Sequence, residues 1–243
     1  MYKNEFDNYL KQNKKFKSYM FYGQSMFLVE QYSLAIAQSF GENDEIEKLY
    51  FEEYNFKYAK DKLLQSSLFS SNNILLIKVE KKLPKKEVDT LIEACNANPD
   101  STLIFACLGD GDFKTMESSF SLKTNSVAVR FFQPTDTEAI RFLEYEAKLL
   151  EMQYEISALN HLYFMHKNDL ALCVNDLKKL AILDQLITVN LVDANCFGIG
   201  VINFEDFLHD LISGKDVGDD LSLILEEGMN EIFLLTQVTS FVQ

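Results

Sequence analysis

The sequence is poor in several residue types, and each scarcity narrows the kind of protein it can encode. Its 243 residues include no Trp, only three Pro and only four Cys. The cysteines are scattered without a C-x-x-C pair, so neither a zinc site nor a disulfide is expected; they are Cys95, Cys107, Cys173 and Cys196. Few prolines suit a helix-rich chain, and twenty Phe and eleven Tyr supply the bulk that Trp would provide.

Long apolar runs are also missing. The first residues, MYKNEFDNYLKQNKKFK, are polar and lack the apolar segment of a signal peptide. No run is long enough to cross a bilayer. With the unpaired cysteines, this predicts a cytoplasmic protein without a membrane partner.

Basic residues are outnumbered, with 23 Lys and Arg against 37 Asp and Glu, and the net charge is −14. A protein that grips a phosphate backbone by itself is usually basic, so this chain is not expected to be a main DNA contact. Acidity for solubility alone is the more common explanation. The densest basic group is interpreted as a solvated loop; it comprises Lys81, Lys82, Lys85 and Lys86.

Two kinds of hydrophobic pattern divide the chain near Pro134. Before it, apolar runs alternate with amphipathic stretches, which predicts a mostly parallel sheet with helices on both faces. The predicted strands are 17–22, 46–51, 73–79, 102–107 and 126–132; the main predicted helices are 25–40, 56–65 and one opened by Pro84. After it, helical periodicity alone is present, at 137–152, 157–166, 169–184, from Thr188, at 204–212 and beyond Gly218.

The segment that follows the first predicted strand stands where an ATPase would carry its phosphate-binding loop. It contains one glycine, Gly23, no Gly-Lys-Ser/Thr, and bulky Met26 and Phe27 where phosphates would lie. Glu80, after Lys78 and Val79, is weak evidence for a metal-binding acid. We therefore expect neither nucleotide binding nor hydrolysis.

The remaining polar groups also give no support for catalysis. His161 and His166 are five residues apart and face different sides of a helix, so shared metal ligation is not expected. Neither these residues nor His209 has a local partner for a catalytic triad. Asp216, Asp219 and Asp220 are interpreted as a solvated turn. The sequence thus predicts no catalytic residue, metal site or cofactor.

The unusual segment is QSSLFSS, in which small hydroxyl residues surround the apolar pair Leu68 and Phe69. If the preceding helix continued, the pair would point away from its buried side and could anchor a partner. Alternatively, the helix has already ended and the pair packs beneath the sheet. Leu64, on the same side as Leu68, weakens the first interpretation, and physical reasoning alone favours the second.

The order of several motifs resembles the delta subunit of the bacterial DNA polymerase III clamp loader. The similarity spans essentially the whole chain. It lies in YMFYGQSMFLVE at 19–30, SLF at 67–69 before ILLI at 74–77, NDL at 168–170 with DLKKL at 176–180, and the Phe, Leu and Gly-Lys pattern at 204–215. Departures are Asp176, where the family usually has Glu, and Ser66, where other members carry a larger residue.

The resemblance implies a three-part architecture: a nucleotide-free AAA+-like α/β domain at 1–134, a small all-α lid at 135–200, and the start of a helical collar at 201–243. The collar is expected to be truncated, because the apolar segment 231–242 ends without a cap. In this family the Leu-Phe pair enters an apolar pocket on the sliding clamp. The resemblance therefore assigns clamp binding to Leu68 and Phe69, flanked by Ser66 and Ser67, and outweighs the buried interpretation.

The implied function is to bind the sliding clamp, the beta subunit, and help open the ring for loading onto primed DNA, without hydrolysing ATP. The implied partners also include the ATPase subunits and delta-prime, within DNA polymerase III holoenzyme, a DNA-directed DNA polymerase and thus a nucleotidyltransferase complex. DNA contact is expected to be indirect or confined to the complex. The alternatives are a divergent AAA+ ATPase, which the missing Gly-Lys-Ser/Thr disfavours, and delta-prime, whose Ser-Arg-Cys motif and clustered cysteines are absent.

Overall fold

The protein divides into two compact units, Met1–Thr135 and Asp136–Gln243. The computed structural model describes residues 1–65, 72–109, 111–196 and 204–226, together with 234, 235, 238, 239 and 241. Pro134 lies next to the boundary, where the sequence pattern changes from mixed to purely helical.

The first unit is built on a five-stranded, entirely parallel sheet. The strands are β1 Ser18–Gly23, β2 Ile46–Tyr50, β3 Asn73–Val79, β4 Ser101–Cys107 and β5 Ser126–Phe131, in the order β2-β3-β4-β1-β5. β1, β3, β4 and β5 are almost completely buried. This burial explains why their sequences are continuous apolar runs rather than alternating ones.

Helices cover both faces of the sheet, as the sequence predicted. One face packs against α1 Lys3–Lys11 and α2 Met26–Gln38 through alternate strand residues such as Tyr19 and Phe21. The opposite face, with Met20 and Tyr22, packs against α3 Phe56–Leu64, α4 Lys85–Ala97 and α5 Lys114–Glu117. The helix that was predicted to open at Pro84 is α4, and its residues at helical spacing, Val88, Leu91, Ile92 and Cys95, are all buried.

Helix α1 was not predicted. Phe6 is fully buried, and Tyr9 and Leu10, three and four residues further on, are partly buried and pack against the same core. This spacing is an apolar stripe of helical period, so the sequence did contain a signal for α1. Phe6 lies among the rings of Tyr19, Phe21 and Tyr32.

The second unit is helical where the structure describes it. Its helices are α6 Asp136–Leu149, α7 Ile156–Met165, α8 Leu170–Ala181, α9 Val189–Asn195, α10 Phe204–Ile212 and α11 Gly218–Glu226. The helix predicted from Thr188 is α9, and Thr188 caps it, because its hydroxyl oxygen accepts a hydrogen bond from the Leu191 amide. No helix among the described residues is long and apolar enough to cross a membrane.

Because all five strands run the same way, the sheet has two distinct ends. The amino edge is defined here as the end at which the strands begin, where Asn73 of β3 is paired with Ser101 of β4. The carboxyl edge is the end at which they finish, where Gly23 is paired with Phe131. The start of β3, which follows the predicted clamp-binding segment in the sequence, lies at the amino edge. The connection from β1 to α2, where an ATPase would carry its phosphate loop, lies at the carboxyl edge.

Candidate partner-binding site

The predicted binding residues Ser66, Ser67, Leu68 and Phe69 lie outside the described residues. The structure describes both flanks of their segment, the end of α3 and the start of β3. Helix α3 ends at Leu64, and Gln65 is extended, with φ −71° and ψ 123°. The argument that helical spacing points Leu68 and Phe69 outward therefore does not apply. The placement of these two side chains stays a prediction.

Three buried polar side chains hold the end of α3; we call Asn73, Asn98 and Ser101 the polar base. The Asn98 Nδ2 donates to the carbonyls of Leu63, at 3.0 Å, and Gln65, at 3.1 Å. The Ser101 hydroxyl donates to the Leu63 carbonyl at 2.7 Å. The last carbonyls of a helix lack partners within it, so these donors supply what the helix cannot.

The polar base also fixes the start of β3. Asn73 Nδ2 donates to the Lys62 carbonyl at 2.6 Å and to the Ser101 hydroxyl at 2.9 Å. The Asn73 amide donates to the Asp100 carbonyl at 2.9 Å. Asn73, Asn98 and Ser101 are no more than 8% exposed. Both flanks of the predicted segment are thus joined to the same turn between α4 and β4.

The polar base was not predicted from the sequence, although the segment beside it was. The available signal was position: Asn73 and Ser101 are each the first residue of a buried strand, where an apolar side chain would be ordinary. Their hydrogen bonds to α3, 11 to 38 residues away, could not be inferred from spacing.

The outer surface of α3 next to the segment is partly apolar. Tyr58 and Leu64 are each 46% exposed. They line an open depression of about 410 Å³ with Asp61, Lys62 and Gln65. The Tyr58 hydroxyl donates to Glu47 at 2.7 Å, and this hydrogen bond raises the pKa of Tyr58.

The carboxyl edge has a very short connection where a phosphate loop would stand. Only Gln24 and Ser25 separate β1 from α2. The Gln24 amide donates to the Phe131 carbonyl at 2.8 Å. The Ser25 hydroxyl oxygen caps α2 by accepting from the Leu28 amide at 3.4 Å. Two residues cannot curl around a phosphate chain, and two of the nearby amides already have partners.

Close packing at Gly23 leaves even less space for a ligand at the connection between β1 and α2. Gly23 has φ +139°, and a Cβ there would lie 2.0 Å from the Phe131 carbonyl oxygen. Its backbone therefore lies directly against β5, and any side chain would collide with it.

The Lys78 side chain, two residues before Glu80, interacts with α2 and with the end of β2. Its ammonium group lies 2.6 Å from the Glu30 carboxylate of α2 and 5.2 Å from the centre of the Tyr50 ring. Among the described residues there is no group of three or more potential metal ligands.

His161 and His166 each contact a different aspartate. His161 lies 2.6 Å from Asp193 and is partly exposed. Buried His166 lies 2.7 Å from Asp176, whose other oxygen is 2.5 Å from the Lys179 ammonium group. Burial would raise the pKa of Asp176, but the hydrogen bonds from Lys179 and His166 lower it overall. This buried interaction between α7 and α8 was not predicted.

Comparison with known proteins supports the fold and the resemblance. Residues 19–132 match the family model described as DNA polymerase III, delta subunit, and residues 135–194 match a model described as a middle domain. A protein of Helicobacter pylori strain J99 is 27% identical over 253 residues, covering 97% of this chain and 74% of its own length. A protein of strain 26695 is also 27% identical, over 255 residues, with the same coverage.

Among solved structures, the Bacillus subtilis DNA clamp loader delta protein aligns with a TM-score of 0.60 at 15% identity, covering 98% of this chain and 75% of that one. A RuvB variant from Thermotoga maritima aligns with a TM-score of 0.51 at 13% identity, covering 92% and 79%.

These similarities define the class first: the chain has an AAA+-like α/β fold followed by a helical region. Within that class it is delta-subunit-like. The resemblance to the delta subunit of DNA polymerase III is confirmed by the family model over 19–132.

Proposed function

We propose that the protein acts as a clamp-loader delta subunit that binds the sliding clamp and helps to open the ring. The observation that carries the proposal is the match of residues 19–132 to the delta-subunit family. Leu68 and Phe69, flanked by Ser66 and Ser67, are the proposed contacts with an apolar pocket on the clamp. The division of the second unit into a lid at 135–200 and a collar from 201 is part of the same proposal.

The geometry of the two sheet edges supports a role in binding rather than in hydrolysis. The carboxyl edge offers two residues between β1 and α2 where an ATPase needs a curled loop. We propose that ATP is hydrolysed by neighbouring loader subunits, and that this chain contributes contacts only. No specific feature favours the alternatives, a divergent ATPase or delta-prime.

The charge distribution supports partners other than DNA for the second unit. That unit carries 6 Lys and Arg against 19 Asp and Glu, a net charge of −13, whereas the first carries 17 against 18. An acidic surface repels a phosphate backbone. We propose that direct DNA contact is minor or arises only within the assembled loader, and that the protein is cytoplasmic like the replication machinery.

The proposal is tested by calorimetric titration of the chain with the sliding clamp from the same source. Saturable binding with a defined stoichiometry is expected. A pair of fluorophores across the clamp interface should report a larger separation when the chain is added. Absence of binding at micromolar concentrations of both proteins would remove the basis of the proposal.

A further inference from the structure

We propose that the end of the second unit at which α6 and α8 finish is a docking site for a basic, amphipathic segment of a partner protein. One Lys or Arg side chain of that segment enters a small pocket between the two helix ends, and its apolar side chains cover the exposed apolar residues around the pocket. The proposal goes beyond the clamp-binding function and does not depend on it, because it concerns other residues in the other unit.

The pocket lies between the ends of the two helices and is called here the α6–α8 pocket. It has a volume of about 190 Å³ and is lined by 150–153, 180, 181 and 184–186. Pockets that hold whole small molecules usually have about 300–1,000 Å³, so this one suits a single side chain. Its two walls are joined, because the Ile187 amide donates to the Gln153 carbonyl at 2.9 Å and the Ile187 carbonyl accepts from the Glu155 amide at 3.0 Å.

The α6–α8 pocket has a negative potential for two reasons. Both helices finish at it, and a helix carboxyl end carries about half a negative charge, because its last carbonyls lack partners within the helix. Each helix is also followed by an exposed acidic residue in the left-handed conformation, Glu151 with φ 56° and Asp184 with φ 50°. Among the lining residues that the structure describes, these two are the charged ones, and neither forms an ion pair with a described residue.

The nearby lysines do not neutralise the pocket. Lys148, Lys178 and Lys179 lie in the last turns of α6 and α8, where each offsets part of the helix dipole. None of the three lines the pocket, and the Lys179 ammonium group is held 2.5 Å from Asp176. The unit as a whole has a net charge of −13, so long-range attraction also favours a basic partner.

The rim of the α6–α8 pocket is apolar. It comprises Leu149, Ile182, Leu183 and Leu186. Ile182 is 83% exposed, Leu149 60% and Leu186 47%. Single exposed apolar residues are ordinary, but several around one pocket are typical of an interaction site. An apolar rim around a negative centre fits a segment with both apolar and basic side chains, whereas a nucleic acid backbone would be repelled.

The probe for the test is a synthetic helical peptide with Leu along one face and Arg beside it, titrated into the 243-residue chain by calorimetry. One matched peptide carries Glu in place of Arg, and another carries Ser in place of Leu. We expect saturable binding of the Leu-Arg peptide and at least tenfold weaker binding of the other two. Equal binding of either matched peptide, or no binding of the Leu-Arg peptide at micromolar concentrations, would overturn the proposal.

Two double variants test the pocket and its rim separately. Glu151→Gln with Asp184→Asn removes both carboxylates and keeps side chains of similar size. Ile182→Ser with Leu186→Ser removes apolar rim that is already exposed, so the fold should be preserved. Each double variant should weaken binding of the Leu-Arg peptide at least fivefold.

Matched controls remove the same kinds of side chain elsewhere in the second unit. Asp193→Asn removes an exposed carboxylate, and Phe164→Ser removes an exposed apolar side chain; neither residue lines the pocket. Both should change binding of the peptide less than twofold. Equal losses in the controls and in the pocket variants, or no loss in the pocket variants, would contradict the proposal.

Two further measurements locate the binding and test the other occupant, a second copy of this chain. The bound Leu-Arg peptide should slow amide hydrogen exchange in 149–153 and 180–187 and leave the first unit unchanged. Without the peptide, the chain should sediment as a monomer at high micromolar concentrations. Protection confined to the first unit, or a dimer that dissociates in Ile182→Ser with Leu186→Ser, would overturn the proposal.

Discussion

The two edges of the sheet in the first unit contrast sharply, although the same strands form both. At the carboxyl edge the backbone is closely packed: Gly23 lies against β5, and Ser25 caps the next helix two residues later. At the amino edge, buried Asn and Ser side chains hold the ends of a separate segment. At the carboxyl edge the described contacts thus leave no space for a phosphate loop, whereas at the amino edge they hold the two elements that flank the proposed binding residues.

If the carboxyl edge is structural, its glycine should matter for folding. Gly23→Ala should destabilise the protein by about 3–4 kcal/mol, because it adds a Cβ in a left-handed conformation and against backbone. The measurement is the free energy of unfolding in urea. The control is Gly214→Ala, at φ +72° with nothing within 4 Å of the added Cβ, which should cost about 1 kcal/mol. Equal losses in the free energy of unfolding for the two variants would contradict the close contact between Gly23 and β5.

The cap of α2 should give a smaller effect of the same kind. Ser25→Ala should lower the free energy of unfolding by about 0.5–1 kcal/mol, because the Leu28 amide loses its acceptor. Clamp affinity, measured by calorimetry, should not change. The exposed neighbour variant Gln24→Ala should leave both quantities unchanged. A loss of clamp affinity in Ser25→Ala, with none in Gln24→Ala, would contradict the claim that the carboxyl edge contributes to stability and not to clamp binding.

The ion pair at the carboxyl edge should contribute less still. Lys78→Met should change the free energy of unfolding by no more than about 0.5 kcal/mol, since the Glu30 carboxylate is half exposed. A double-mutant cycle with Glu30→Gln measures the pair itself, and the coupling should shrink in 1 M salt. A coupling above about 2 kcal/mol would mean that this edge depends on the charge pair.

No effect at all is expected from nucleotide. A fluorescent ATP analogue with Mg²⁺ should show no saturable binding at micromolar concentrations, because the connection between β1 and α2 offers no loop for phosphates. An ATPase subunit of a clamp loader serves as the positive control. Saturable, Mg²⁺-dependent binding would restore the carboxyl edge as a ligand site.

The parallel sheet was predictable because β1, β3, β4 and β5 are buried on both faces and their sequences are continuous apolar runs; β2, at the sheet margin, is only partly buried. The predicted strand 73–79 coincides with β3, and the predicted helix 204–212 coincides with α10. Strand order was not predictable, because it depends on which runs become neighbours. Helix α1 was missed although Phe6, Tyr9 and Leu10 recur at helical spacing and pack against the core, because the many polar residues around them obscure so short a stripe.

The candidate site was only partly predictable, for a physical reason. The motif around Leu68 marked the segment, but helical spacing could not be used to orient Leu68 and Phe69, because α3 ends at Leu64; their orientation stays a prediction. The polar base and the pairing of His166 with Asp176 join residues from different elements. Such contacts depend on how the helices and strands pack together. The periodicity of the sequence does not reveal that packing.

The most direct test of the central claim is one double variant measured in two ways. Leu68→Ala with Phe69→Ala should weaken clamp binding on the order of 30-fold or more, because each apolar anchor is worth roughly 1.5–3 kcal/mol. Its melting temperature should stay close to that of the parent. Leu75→Ala, in the core of β3, provides the reference for a buried change and should cost about 2–5 kcal/mol of stability. A double variant that melts as low as that reference and still binds the clamp normally would contradict the assignment.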